Sequence, residues 1–148
     1  MLTKRDPISR NYHVIIAYSL YYFIMSFITY TSVNKALNLQ SFRINILKTG
    51  LFSETSIYYI SITVIVLEIG LVLILFLNKK LGFSLFLVMM LFFTGYITYL
   101  RLNGLYEVCG CGGILNGLSY SYHLLINLCL ISAGLYCFNI ISRSKDEI

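Results

Sequence analysis

Two cysteines separated by one glycine, Cys109-Gly110-Cys111, are the residues of this chain whose types and spacing most clearly indicate chemistry. A disulfide between residues i and i+2 requires a sharp turn, because in an extended chain their Cα atoms approach or exceed the usual range of about 4.4–6.8 Å. Gly110 permits such a turn because it has no Cβ. Strain makes a disulfide easier to reduce, and a short loop gains little closure entropy. The pattern favours Cys109 and Cys111 as a catalytic redox pair over a structural crosslink.

Two other interpretations of these cysteines remain open. They could be free thiols in a glycine-rich turn, or they could contribute to a metal site. A structural zinc site needs about four ligands, and the nearby sequence offers His123 as a third, so we predict no metal site. The other two cysteines, Cys129 and Cys137, are too far apart on one helix to pair, and they are expected to behave as small apolar residues.

The composition shows which elements must position this pair. The chain has 148 residues, of which 58% are hydrophobic and 11% charged, against about 25% charged in soluble domains. This excludes a soluble globular enzyme and a disordered chain. Four stretches of about 20 residues carry at most one formal charge and can each cross a hydrocarbon core of roughly 30 Å as a helix. We predict one all-α domain over 1–148, a four-helix transmembrane bundle with spans at about 14–33, 57–77, 81–100 and 120–141.

The basic residues indicate how the bundle is oriented. Seven lie on one side of the predicted membrane and four on the other, and the richer side is expected to be cytoplasmic: Lys4, Arg5, Arg10, Lys79, Lys80, Arg143 and Lys145, against Lys35, Arg43, Lys48 and Arg101. Both termini would then be cytoplasmic. The cysteine loop would then lie on the outer or periplasmic side, where disulfides form and persist.

The connections between the spans give two further expectations. The link centred on Asn78 is so short that the second and third spans must be antiparallel neighbours. The first outer loop, about 31–56, mixes apolar and polar residues, which predicts a short amphipathic segment at the membrane interface. The net charge of +5 serves mainly as an orientation signal, because no basic face or known module for binding nucleic acid is present.

Four polar residues near or within the spans are candidate supporting residues. Glu68 lies roughly 17 Å into its span, where it is either protonated and hydrogen-bonded or acts as a proton acceptor near a quinone. His123 could stabilise a thiolate or carry protons, or could simply bond to backbone at the interface. Arg101 could stabilise a thiolate or anchor the end of its helix. Asn127 is expected to form a hydrogen bond between helices.

The chain resembles the MauE family of methylamine-utilisation membrane proteins, within the wider DoxX-like group. The resemblance rests on four spans, Lys35 after the first span, Glu68 in the second, the Cys-Gly-Cys loop before the fourth, and Asn127 within the fourth. The family motif usually continues with Phe, where this chain has Gly112. The resemblance implies a redox-associated membrane protein that supports maturation of a disulfide-rich amine dehydrogenase beside a thioredoxin-like partner.

Two functions follow as hypotheses. In the first, the protein is a thiol-disulfide oxidoreductase of the bacterial inner membrane that exchanges electrons with a thioredoxin-like or cysteine-rich extracytoplasmic protein. A membrane quinone is the natural electron acceptor, because the chain has no haem or flavin motif, and no covalently bound cofactor is expected. In the second, the protein is a non-catalytic subunit that docks and stabilises a partner complex. The expected partners are the lipid bilayer, the extracytoplasmic protein and further membrane subunits, with no nucleic acid.

Overall fold

The computed structural model describes residues 7–105 and 119–145. These residues form five helices and no strand, which confirms the prediction of an all-α chain. The helices are α1 (Pro7–Leu37), α2 (Leu39–Lys48), α3 (Glu54–Leu77), α4 (Lys79–Leu102) and α5 (Tyr120–Lys145).

Four of the helices are long and apolar enough to cross a bilayer, which confirms the predicted number of spans. The candidate spans are Asn11–Leu37, Glu54–Leu77, Lys79–Leu102 and Tyr120–Ser142. Only 22% to 28% of the residues in their most apolar stretches are buried within the chain, so most of their apolar surface is left to contact lipid. The outward side chains Phe92 and Leu102, for example, are 75% and 81% exposed. The chain is therefore an integral membrane protein.

The structure extends α1 beyond the predicted first span. The prediction ended at Val33 because a charged residue, Lys35, follows shortly after it. In the structure α1 continues to Leu37, because Lys35 turns into the bundle and meets a charged partner there. The predicted amphipathic segment is also present, as the separate helix α2.

The four long helices form an antiparallel ring in which α1 packs against α3 and α5, and α4 packs against the same two helices. Contacts between α1 and α3 show the direction: the Tyr21 hydroxyl donates to the Leu75 carbonyl, and Ser32 meets Glu68. The bundle therefore has two halves. The Asn78 half contains the link between α3 and α4. The Lys35 half contains α2, the C-terminal ends of α1 and α4, and the N-terminal ends of α3 and α5.

The Asn78 half is closed by a one-residue link. The Asn78 backbone N–H donates to the Ile74 carbonyl at 2.7 Å and ends α3, while the Asn78 side-chain oxygen accepts from the Leu81 N–H at 3.2 Å and starts α4. Just beyond, Gly82 lies against α3, where a Cβ would be 2.5 Å from the Leu75 Cα. This confirms that the two helices are antiparallel neighbours.

Fully buried apolar side chains fill the core of the Asn78 half, among them Leu75, Phe83 and Phe86. Cys137 is also buried there, with its Sγ 3.4 Å from the Ala17 carbonyl oxygen. Cys129 is exposed on the bundle surface, and both cysteines are free thiols, as predicted from their spacing.

Candidate functional site

A buried ion pair joins α1 to α3 in the Lys35 half. The Lys35 ammonium donates to Oε1 of Glu68, and the Ser32 hydroxyl donates to Oε2 at 3.1 Å. Ser32 and Lys35 are three residues apart, so both project from one face of α1. Lys35 is 6% exposed and Glu68 is 2% exposed. Both carboxylate oxygens thus have donors, which a charge held away from water requires.

Aromatic rings surround the lysine end of this pair. The Lys35 Nζ lies 5.2 Å from the ring centroid of Phe93 on α4 and 5.7 Å from that of Phe42 on α2. An ammonium at this distance is attracted to the negative face of a ring. The helix α2 also buries Ile46, so the amphipathic segment packs over the end of the bundle beside the ion pair.

Two further polar residues lie one turn apart on α5. His123 and Asn127 are both buried, at 3% and 4% exposure, and their four-residue spacing places them on the same face of the helix. The Asn127 amide donates to Thr94 Oγ1 on α4 at 3.2 Å, and the Thr94 hydroxyl itself donates to the Met90 carbonyl at 2.7 Å. Asn127 therefore forms the expected hydrogen bond between helices.

A cavity of about 340 Å³ brings these residues together. Lys35, Glu68, His123 and Asn127 supply polar groups to its wall, and the remaining lining is mainly apolar and aromatic. Three helices that are distant in sequence, α1, α3 and α5, contribute the four residues. Four of the predicted supporting residues thus line one space within the Lys35 half.

The other predicted site residues lie elsewhere. Arg101 is exposed in the last turn of α4, with its guanidinium carbon 6.0 Å from the Tyr120 ring centroid, and it does not line the cavity. This position at the helix end fits the anchoring interpretation. Cys109, Gly110 and Cys111 lie outside the described residues.

The segment that carries Cys109 and Cys111 lies between α4 and α5, and the residues on either side of it are described. Gly104, two residues beyond the end of α4, has a positive φ of 70°, a conformation that glycine adopts without steric penalty. The Leu105 N–H then bonds back to the Leu100 carbonyl at 2.8 Å. Because Ser119 precedes the first residue of α5, the segment begins and ends in the Lys35 half.

Sequence reasoning missed two residues of this site. Ser32 completes the coordination of the Glu68 carboxylate, and its spacing of three residues from Lys35 was the available signal. Thr94 holds Asn127, but a threonine within an apolar helix usually bonds to its own backbone, so nothing in the sequence distinguishes it. Among the described residues, no cluster of three or more potential metal-ligating side chains is present.

The fold and site together define a class: a four-span helical membrane protein with a polar cluster inside its bundle. Comparison with known families is more specific. The chain belongs to the MauE family, described as methylamine utilisation protein MauE, whose family model matches residues 13–140. The match includes Lys35, Glu68 and the Cys-Gly-Cys segment, and it confirms the resemblance noted from the sequence. Searches of curated proteins and of solved structures gave no match.

Proposed function

We propose that this protein is a membrane-embedded thiol-disulfide oxidoreductase in which Cys109 and Cys111 are the reacting residues. The observation that carries the proposal is the polar cavity in the Lys35 half, where the segment with the two cysteines begins and ends. Cys109 follows Leu105 by four residues, and four residues span at most about 14 Å. The thiols are thus tethered to the half of the bundle that holds buried groups able to donate or accept protons.

The reaction begins with the Cys109–Cys111 disulfide. A thiolate of the partner protein attacks one sulfur, the Cys109–Cys111 bond breaks, and a mixed disulfide forms. A second partner thiolate attacks that mixed disulfide and releases the reduced pair. The partner has then lost two electrons and two protons and gained one disulfide. A membrane quinone restores the pair by accepting two electrons and two protons, which yields the quinol.

The location and the partner follow from charge and family. The excess of Lys and Arg on one side supports an orientation with the cysteine segment on the extracytoplasmic face of a bacterial inner membrane, where disulfides persist. A thioredoxin-like or cysteine-rich protein on that side is the electron-donating partner. Membership of the MauE family supports a role in the maturation of a disulfide-containing partner.

Trapping of the mixed disulfide tests this proposal. Cys109→Ser and Cys111→Ser would each be expressed in cells, alkylated rapidly, and separated on non-reducing gels. In one of the two variants the remaining thiolate attacks the disulfide of the oxidised partner, which is the reverse of the exchange, and breaks that bond to form a mixed disulfide. No neighbouring thiol is left to resolve this mixed disulfide, so a covalent complex with an extracytoplasmic protein should accumulate. Mass spectrometry would identify the linked cysteines.

Cys129→Ser is the matched control, because Cys129 is a free and exposed thiol within α5. This variant should trap nothing, since both cysteines of the reacting pair remain. If neither Cys109→Ser nor Cys111→Ser forms a covalent complex that reductant cleaves, the redox proposal is wrong. A partner that copurifies without a covalent link would then favour the scaffold function.

A further inference from the structure

The cavity in the Lys35 half reaches the outward surface of the bundle at Phe92 of α4. Val64 of α3 and Met89 of α4 line it, and so does Phe92, whose side chain is 75% exposed on the apolar surface. A residue that both lines the cavity and faces outward shows that the space reaches the lipid-facing surface. A molecule dissolved in the bilayer can therefore enter without passing through water.

The walls suit a flat, apolar ring. Phe93 and Tyr96 come from α4 and Phe27 from α1, together with the thioether side chains of Met89 and Met90. Aromatic rings pack against other rings in offset or edge-on arrangements, and methionine sulfur makes favourable contacts with them. The volume of about 340 Å³ lies within the usual range of small-molecule sites, about 300–1,000 Å³.

The polar side of the cavity, which we call the polar wall, is formed by Lys35, Glu68, His123 and Asn127. Two of these residues supply hydrogen-bond donors inside the membrane-spanning bundle. A lysine ammonium has three N–H donors, and within the described residues the Glu68 carboxylate engages Lys35. The Asn127 amide has two N–H donors, one of which goes to Thr94. A lipid chain in this space would offer no acceptor to these groups, whereas a ring with carbonyl oxygens would.

From these observations we infer that the cavity binds the ring of a membrane quinone, with Lys35 and Asn127 donating to its carbonyl oxygens. The inference rests on the proposed function and assigns its electron acceptor a site. Reoxidation then balances: the S–S bond forms as Cys109 and Cys111 lose two electrons and two protons. The ring gains two electrons, and each of its two oxygens gains one proton.

Quinone binding can be measured directly because the chain contains no Trp. Phe93→Trp places a single fluorophore in the cavity wall, and Phe23→Trp places one on the outward surface of α1, where Phe23 is 61% exposed. Each protein would be reconstituted in phosphatidylcholine nanodiscs and titrated with decylubiquinone. We expect saturable quenching at position 93. At position 23 quenching should rise linearly, as simple partition into lipid requires.

The role of the polar wall is tested in the Phe93→Trp background. Asn127→Leu should weaken decylubiquinone binding about tenfold, the effect of losing one hydrogen bond in a dry site. The double variant Lys35→Met/Glu68→Leu should weaken it at least as much, without leaving a charge unpaired. Tyr21→Phe removes a hydroxyl in the Asn78 half and should leave binding unchanged.

Decylbenzene, which has the same tail but no carbonyl, distinguishes a quinone site from a lipid groove. It should compete poorly with decylubiquinone. Equal competition, linear quenching at position 93, or unchanged affinity in Asn127→Leu would each overturn the inference. Trapping of a mixed disulfide does not depend on the cavity, so a failed quinone titration with successful trapping rejects this site and leaves the thiol-exchange proposal standing.

Discussion

The two halves of the bundle are built from the same four helices but differ in packing: one is filled with apolar side chains, and the other contains a cavity and a buried ion pair. In the Asn78 half, Gly82 lets α4 approach α3 closely, and Phe83 and Phe86 fill the space between helices. In the Lys35 half the helices leave a cavity, and a lysine and a glutamate are buried beside it. Packing therefore stabilises one half. The other contains groups whose burial costs free energy, and for that reason we propose it as the functional half.

Two lysines, one in each half, differ in whether their charge is buried. Lys79 starts α4 in the Asn78 half, with its Nζ 4.6 Å from the Tyr18 ring centroid and 5.2 Å from that of Tyr21. Lys35 has a similar aromatic setting, but it is buried and paired with Glu68. A lysine at a helix end can reach the interface with its charged group. One that turns into the bundle needs an opposite charge.

Removing one partner of the buried ion pair should reduce the stability of the protein more than any other substitution considered below. Lys35→Met leaves the Glu68 carboxylate buried without its cation, and we expect a loss of about 3–5 kcal/mol in the free energy of unfolding. Lys79→Met is the matched control and should cost about 1 kcal/mol or less. The double variant Lys35→Met/Glu68→Leu should recover most of the loss.

These stabilities can be read from the reaction of Cys137 with maleimide, because its side chain is fully buried in the folded chain. The other three cysteines would be replaced by Ser, and the rate followed during denaturation in mixed detergent. If Lys35→Met proves no less stable than Lys79→Met, the Lys35 half does not depend on its ion pair.

Two glycines of α4, one in each half, differ in how closely neighbouring atoms pack around them. An added Cβ at Gly82 would meet the Leu75 backbone, whereas an added Cβ at Gly95, in the Lys35 half, would have no heavy atom of the described residues within 4 Å. Gly82→Ala should destabilise the protein by about 1–3 kcal/mol because backbone must move. Gly95→Ala should be neutral or stabilise by up to about 1 kcal/mol through helix propensity. Thermal unfolding of both variants measures the difference, and equal effects would contradict the close approach at Gly82.

Tyr21→Phe should lower stability only slightly, and it tests whether a change in stability alone alters redox function. Tyr21→Phe removes the hydrogen bond to the Leu75 carbonyl and should cost about 1 kcal/mol in unfolding free energy. Because Tyr21 lies in the Asn78 half, the rate of disulfide exchange with the partner should not change. A slower exchange rate in a variant that remains folded would show that the functional region extends beyond the Lys35 half.

The sequence was sufficient to predict the four spans and the antiparallel link at Asn78, because span length and link length each allow few arrangements. It did not predict the length of α1, since a charge such as Lys35 normally ends an apolar stretch. The ion pair depends on which face of α1 meets α3, and that is decided by the packing of the whole ring. The same holds for the contact between Thr94 and Asn127.

We propose that Cys109 and Cys111 cycle between disulfide and dithiol with quinone as the acceptor. It is tested most directly by mass-tagged maleimide labelling of intact membranes, with Cys129 and Cys137 replaced by Ser so that only the pair reacts. We expect an oxidised, unlabelled pair in quinone-replete membranes and a doubly labelled pair after quinone depletion. A pair that stays reduced under both conditions would contradict it.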